Sequence, residues 1–311
     1  MTDSRSVTSE AGLGDIWSEW LLYRRHGGDP DFDVAIKEDL KEWADRVLDL
    51  LPLRPDTTLA DIGAGDGLIA FRAIERAGPA LRVILTDISP SLLDHAQMVA
   101  IQRQVRDQCR FIQCAADDLE PLADASIDAL CTRAVLAYVH DKPKALREFY
   151  RVLKPGGRIS LAEPIMQDEA FAVRALRLFI ERQPADTLNP FMRLLHRWRA
   201  AQFPDSDEGI RNFPLTSFSE RDLIRHAHTA GFSKLHLEFH IDMEPPAAVP
   251  SWETFLRTSP HPLAPPTGVI LQEQFSADER KEFERVVRTV LADREALSTS
   301  RMAYLTATKR R

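Results

Sequence analysis

Two hydrophobic rhythms alternate along the chain. Trp17, Trp20, Leu21 and Tyr23 recur at helical spacing and predict a helix with one apolar face. After a Gly27-Gly28-Asp29-Pro30 break, Trp43, Val47, Leu48, Leu50 and Leu51 predict a second helix. From Thr58 the pattern tightens. Leu59, Ala60 and Ile62 read as a strand end that runs into Gly63, Gly65 and Gly67, then into Leu68, Ile69 and Phe71 at helical spacing. Val83 to Asp87 is another short apolar strand, and Ser89 with Pro90 opens the helix after it. Residues 125–140 predict a strand and turn, and 145–163 a helix, a tight turn and a strand. Ser219 to Gly231 reads as a capped helix with a glycine stop, followed by an alternating strand to His240. Alternation of this kind predicts an α/β fold.

The glycines say what the first turn is for. Without a Cβ, backbone N–H groups can approach a ligand closely, and the helix that follows aims its positive end at the same spot. That is a nucleotide-type cofactor loop. Dinucleotide sites space their glycines Gly-x-Gly-x-x-Gly, whereas here the spacing is Gly63-x-Gly65-x-Gly67 with Asp61 two residues earlier. Asp61 repels a pyrophosphate and suits a cationic amine. The acid-x-Gly-x-Gly-x-Gly run resembles the first motif of the class I S-adenosylmethionine-dependent methyltransferases. Three further stretches resemble that family in order: Val83 to Ser89 around Asp87; Phe111 to Pro121 with Asp117 and Asp118; and Ala125 to Glu163, which contains Arg151-Val-Leu-Lys-Pro-Gly-Gly157. In the last, Lys154 and Pro155 are expected to end a helix, with Gly156 and Gly157 supplying positive φ for the swing into a strand. One departure is that the family more often places its third-motif acid where Ala115 stands.

The resemblance implies a Rossmann-like, seven-stranded, mostly parallel sheet whose antiparallel last strand is Arg301 to Thr308. It implies S-adenosylmethionine as cofactor and S-adenosylhomocysteine as product. Gly63, Ala64, Gly65 and Gly67 would cradle the methionine part, with Asp61 near its amino group. Asp87, next to Ile88, would take the ribose; Ala116 and either Asp117 or Asp118 would take the adenine; Thr132 and Arg133 would line the methyl-donor end. For a catalytic acid or base the candidates are Glu163, His26 and Tyr138, each with a structural alternative: a loop-bonding carboxylate, a surface histidine, a packed ring.

Composition adds limits. A chain of 311 residues, 44% of them hydrophobic, can bury a full core and an added subdomain. A net charge of −7 argues against a general nucleic-acid partner, which needs a basic face. Cys109, Cys114 and Cys131 sit in apolar contexts without metal-ligand spacing, so buried reduced thiols and no metal are expected. No leader-like apolar segment and no run of about 18 apolar residues occurs, so a cytoplasmic enzyme with no membrane partner, monomeric or homodimeric, is expected.

The organisation read from these patterns is a helical lid over 1–54 (1–10 polar and disordered), a cofactor core over 55–163, a cap insertion over 164–218, a core helix and strand over 219–243, a second cap insertion over 244–298 and a final strand over 299–311. Insertions at one rim of an open α/β sheet lie where ligands bind. They predict a helical cap over a mostly apolar pocket and a small-molecule acceptor. Within the family the chain resembles the quinone-biosynthesis-like group, whose acceptors are carbon, oxygen or nitrogen atoms, and a role in secondary metabolism is the expectation. Two rival readings are a nicotinamide-dependent oxidoreductase and a non-catalytic binding protein with the same fold.

Overall fold

The computed structural model describes residues 15–184, 186–246, 248–293 and 295–311, leaving aside the side chains at 31, 33 and 35–39; the polar stretch at 1–10 lies outside the described residues. Strands β1 (Thr58–Ile62), β2 (Arg82–Asp87), β3 (Cys109–Gln113), β4 (Ile127–Arg133), β5 (Leu153–Pro164), β6 (Ser233–Glu244) and β7 (Ser298–Thr308) form one sheet. Their order is β3-β2-β1-β4-β5-β7-β6. The first five run parallel, and β7 lies antiparallel between β5 and β6. From β1 the chain builds outward to β2 and β3, then returns to place β4 and β5 on the other side. The order therefore reverses beside β1, and a crevice opens above the carboxyl ends of β1 and β4.

Helices cover both faces. The first, α1 (Ile16–Glu19), runs into a π-helical turn at Trp20–Arg24, and α2 (Pro30–Asp49) follows. With α3 (Leu68–Ala77) and α4 (Pro90–Gln102), α2 closes one face over Val47, Leu48, Leu59, Ile69, Phe71 and Leu85. The other face is closed by α5 (Lys142–Val152) over Leu146, Phe149, Leu130 and Leu161. Central strands buried on both sides read as near-continuous apolar runs, which is why Leu59 to Ile62 and Val83 to Leu85 do not alternate.

After β5 come α6 (Gln167–Arg182), α7 (Phe191–Ala200) and α8 (Asp207–Asn212); α9 (Glu220–Thr229) then returns to the sheet. Between β6 and β7 stand α10 (Trp252–Arg257), α11 (Thr267–Gln274) and α12 (Ala277–Ala292). The two insertions share one core. Phe191, Leu194 and Trp198 from the first pack with Trp252, Phe255, Phe275 and Phe283 from the second. Each segment carries an apolar stripe that it buries against the other.

Two local expectations are corrected. Lys154 and Pro155 do not end a helix: α5 stops at Val152, and Leu153 already belongs to β5. Only Gly156 has positive φ, at +83°; Gly157 must be glycine because a Cβ would lie 2.9 Å from the Lys154 carbonyl and 3.0 Å from that of Asp128. Tyr23 leaves the apolar face of its helix and is 66% exposed, since the π-turn rotates it outward from Trp20 and Leu21.

Phe149 is fully buried under the sheet. Phe149→Ala is expected to lower stability by about 3–5 kcal/mol in urea unfolding, from lost burial and the residual cavity. A loss under about 1 kcal/mol would contradict this packing.

Candidate functional site

The crevice is the mouth of one cavity of about 730 Å³, a volume within the range of small-molecule sites. Its floor is the first βα turn. Gly63 and Gly65 have φ of +66° and +56°, and a Cβ would lie 2.4 Å from Val135 Cγ2 at the first and 2.8 Å from Leu21 Cδ2 at the second. Only glycine fits between this loop and what covers it. The Ala64 N–H donates to the Thr86 carbonyl at 2.8 Å, tying the turn to β2.

Asp87 joins the first two turns. One carboxylate oxygen accepts the Gly65 N–H at 2.9 Å and the other accepts the Ser89 N–H at 2.9 Å. Burial pushes its pKa up, and these amides oppose the rise. An ionised carboxylate offers about four lone-pair sites, so accepting two amides leaves capacity toward the cavity. Asp61 is 2% exposed; its Oδ2 accepts the Ala70 N–H at 3.0 Å, and the Cys131 thiol approaches Oδ1 at 3.7 Å. Desolvation lifts its pKa to about 7, against the Ala70 amide. Asp66, Ile88, Cys114, Ala116 and Asp117 complete this wall. The wall thus gathers four acids and suits a ligand with positive charge.

The opposite wall is aromatic and basic. Trp17, Trp20 and Leu21 descend from the N-terminal segment, Trp43 from α2, Met166, Pro260 and Pro262 from the two insertions, and Met302 from β7. The segment is pinned at both ends. The Ser89 hydroxyl donates to Asp15 at 2.6 Å, and the Trp20 indole donates to the Ser259 carbonyl at 3.1 Å. Tyr138 stands edge-on to Trp17 at 5.1 Å, with its phenol pKa raised by burial. Arg133 projects from the end of β4 over the Trp43 ring at 4.9 Å; burial first, then the nearby Arg25 charge, lowers its pKa to about 9.

Of the residues expected at the site, Asp61, Gly63, Ala64, Gly65, Asp87, Ile88, Ala116, Asp117, Arg133 and Tyr138 line this cavity. Gly67, Asp118 and Thr132 do not. Gly67 turns the chain into α3 at φ +86°, Asp118 bridges back to Ala115, and the buried Thr132 hydroxyl donates to Glu163 at 3.0 Å. Asp117 rather than Asp118 is therefore the acid on the third-motif side. His26 is also absent from the lining; its ring stands edge-on to Phe32 at 6.2 Å.

Glu163 stands in the loop-bonding position rather than at the cavity as an acid or base. It is fully buried and off the cavity, and its oxygens accept N–H groups of Val135 at 3.1 Å and Ala137 at 3.1 Å as well as the Thr132 hydroxyl. Burial raises its pKa and those amides oppose the rise. The side chain braces the turn after β4. Arg25, Trp43 and Thr299 to Met302 also reach the cavity, from the loop before α2, from α2 and from the start of β7, and no local sequence pattern marks them as site residues. Trp43 was legible only as a helix-face residue.

A methyltransferase-domain family profile matches residues 60–161. Over 123 residues the chain is 38% identical to a ubiquinone/menaquinone biosynthesis C-methyltransferase, UbiE, of Brucella anthropi, covering 39% of this chain and 46% of that protein. Over 101 residues it is 37% identical to the tRNA 5-carboxymethoxyuridine methyltransferase of Escherichia coli, covering 32% and 38%. The chain thus spans less than half the length of these curated relatives. The crystal structure of the YcgJ protein from Bacillus subtilis superposes with a TM-score of 0.51 over 88% of this chain and 99% of that one, at 16% identity, a likeness of fold.

Two expected outcomes follow from the buried carboxylates. Glu163→Gln turns an amide NH₂ toward backbone donors, so stability should fall by about 1–3 kcal/mol in urea unfolding; an unchanged midpoint contradicts the bracing role. The native pKa of Asp61 lies above its unfolded value near 3.8, so the native state holds the extra proton between the two. Its stabilising contribution is complete below about pH 4 and is lost as pH rises through about 7. Asp61→Asn should therefore gain on the native sequence by about 2–4 kcal/mol between pH 4 and pH 8, and parallel pH profiles of the two would exclude a raised Asp61.

The glycine turn, the acid at the end of β2 and strands β1, β2, β3 and β4 all lie around the stretch 60–161 that matches the methyltransferase-domain profile, so this part of the chain is similar to such a domain.

Proposed function

We propose that this chain transfers a methyl group from S-adenosylmethionine to a small, largely apolar or aromatic acceptor enclosed beneath its cap. The observation that carries the reading is a single cavity with two unlike halves. One half is the glycine loop with Asp61, Asp66, Asp87 and Asp117; the other is walled by Trp17, Trp20, Trp43 and Tyr138. Four acids disfavour a pyrophosphate and favour a donor carrying an ammonium and a sulfonium. The spare lone pairs of Asp87 suit paired ribose hydroxyls, and Asp117 beside the Ala116 amide suits an adenine edge.

When bound, this cofactor supplies a methyl group already activated by positive sulfur. The chain's own task is then to place the acceptor atom in line with that methyl and to exclude water. Trp17, Trp20 and Leu21 cover the loop, Pro260 and Pro262 close the cap side, and the brace at Glu163 fixes the turn holding Val135 and Tyr138. Positioning of this kind supplies several kcal/mol, against roughly 10²–10⁴-fold from a general base. Among cavity residues Tyr138 is a poor ground-state base, because burial raises its pKa. An acceptor that is itself acidic or electron-rich fits such a site best.

Calorimetry with S-adenosylmethionine, S-adenosylhomocysteine and NADH tests the reading. The first two are expected to bind with Kd well below millimolar, and NADH not at all. Gly65→Val should abolish binding, and Asp87→Ala should weaken it by about 1–3 kcal/mol through lost charge-assisted hydrogen bonds. Tight NADH binding without S-adenosylmethionine binding would refute the proposal.

A further inference from the structure

Arg133 stands where the two halves of the cavity meet, and among the described residues no carboxylate neutralises its charge. Its Nε has neither solvent access nor an acceptor. The side chain is half-buried and lines the cavity, with its guanidinium carbon 4.9 Å from the centre of the Trp43 ring. A second arginine, Arg25, lines the same chamber and is close enough for the two charges to disfavour each other. A third, Arg301, is already neutralised by Asp168 at 2.9 Å and Glu169 at 3.1 Å. Asp66 on the glycine loop is near enough for its charge to be felt, but no hydrogen bond or ion pair joins it to Arg133.

A half-buried guanidinium without a carboxylate loses hydration that its contact with the Trp43 ring only partly offsets, so an anion arriving in the cavity would complete its environment. A carboxylate entering the cavity would meet its planar fork in a bidentate geometry. We propose that Arg133 is a receptor for a ligand carboxylate at the junction of the donor groove and the acceptor chamber. The inference rests on the donor reading above. The carboxylate is either that on the amino-acid end of the donor or one carried by the acceptor.

The test compares the native protein with Arg133→Met and Arg133→Lys by calorimetry. Each is titrated with S-adenosylmethionine and with decarboxylated S-adenosylmethionine, which differ only in that group. Each is then saturated with S-adenosylhomocysteine and titrated with benzoate and with benzyl alcohol. The expected result is a preference of at least about tenfold for the carboxylated donor, lost in Arg133→Met and partly kept in Arg133→Lys. That outcome assigns the carboxylate to the donor. An equal donor preference in all three proteins, with benzoate but not benzyl alcohol bound only when Arg133 is present, assigns it to the acceptor. Neither preference depending on Arg133 overturns the proposal.

Thermal unfolding separates a structural role. Removing a half-buried charge without a carboxylate should leave Tm of Arg133→Met unchanged or higher, and a fall of more than about 5 °C would overturn the receptor role. Failure of the native protein to bind any donor would instead refute the donor reading. The benzoate titration, run without S-adenosylhomocysteine, would then still decide for or against Arg133.

Discussion

The site depends on one carboxylate. Asp87 ends β2 and accepts amides from two different turns, Gly65 after β1 and Ser89 before α4. That fixes the relative height of both βα turns at the point where strand order reverses. The arrangement is self-reinforcing. The glycine turn must be free of side chains to lie under Leu21, and Ser89, held by Asp87, also donates to Asp15 at the head of the N-terminal segment. The floor of the groove and its cover are thereby set by the same residue. A similar brace operates one strand away, where Glu163 holds the turn after β4 through Val135 and Ala137.

Around these two braces the fold separates charge. Acids line the wall built from β1, β2 and the loop after β3, whereas indoles from the N-terminal segment and α2 and arginines from the loop before α2, the end of β4 and β7 line the opposite wall. The two insertions, over 80 residues apart at Leu194 and Phe275, fold into one apolar core, and Met166 from the first and Pro260 and Pro262 from the second line the cavity.

Much of the core was legible in the sequence because its signals are local. Asp61 to Gly67, and Asp87 with Ser89 and Pro90, are short runs in which glycine, acid and cap occupy positions dictated by backbone geometry. What was not legible comes from topology and pleat. Trp43, Arg25 and Met302 arrive from α2, its leading loop and β7, and no local pattern relates them to a groove above β1. Glu163 stands at the carboxyl end of a central strand, a place suited to chemistry, but alternation along β5 decides otherwise. Ala162 lies between Arg133 and Tyr304 on the α2 side, so Glu163 turns to the α5 side and beneath the loop it braces. Choosing between Asp117 and Asp118 likewise required the bridge from Ala115 to Asp118, which turns the second acid away.

The proposed sulfonium donor would occupy the groove between the Asp87-braced turns and the Trp17–Leu21 cover. Amide hydrogen exchange with and without S-adenosylhomocysteine addresses it directly. The account predicts slowed exchange confined to residues 63–70, 87–92, 114–117 and 132–138 together with the covering segment at 16–25. Unchanged exchange there, or protection centred on the cap helices alone, would contradict it.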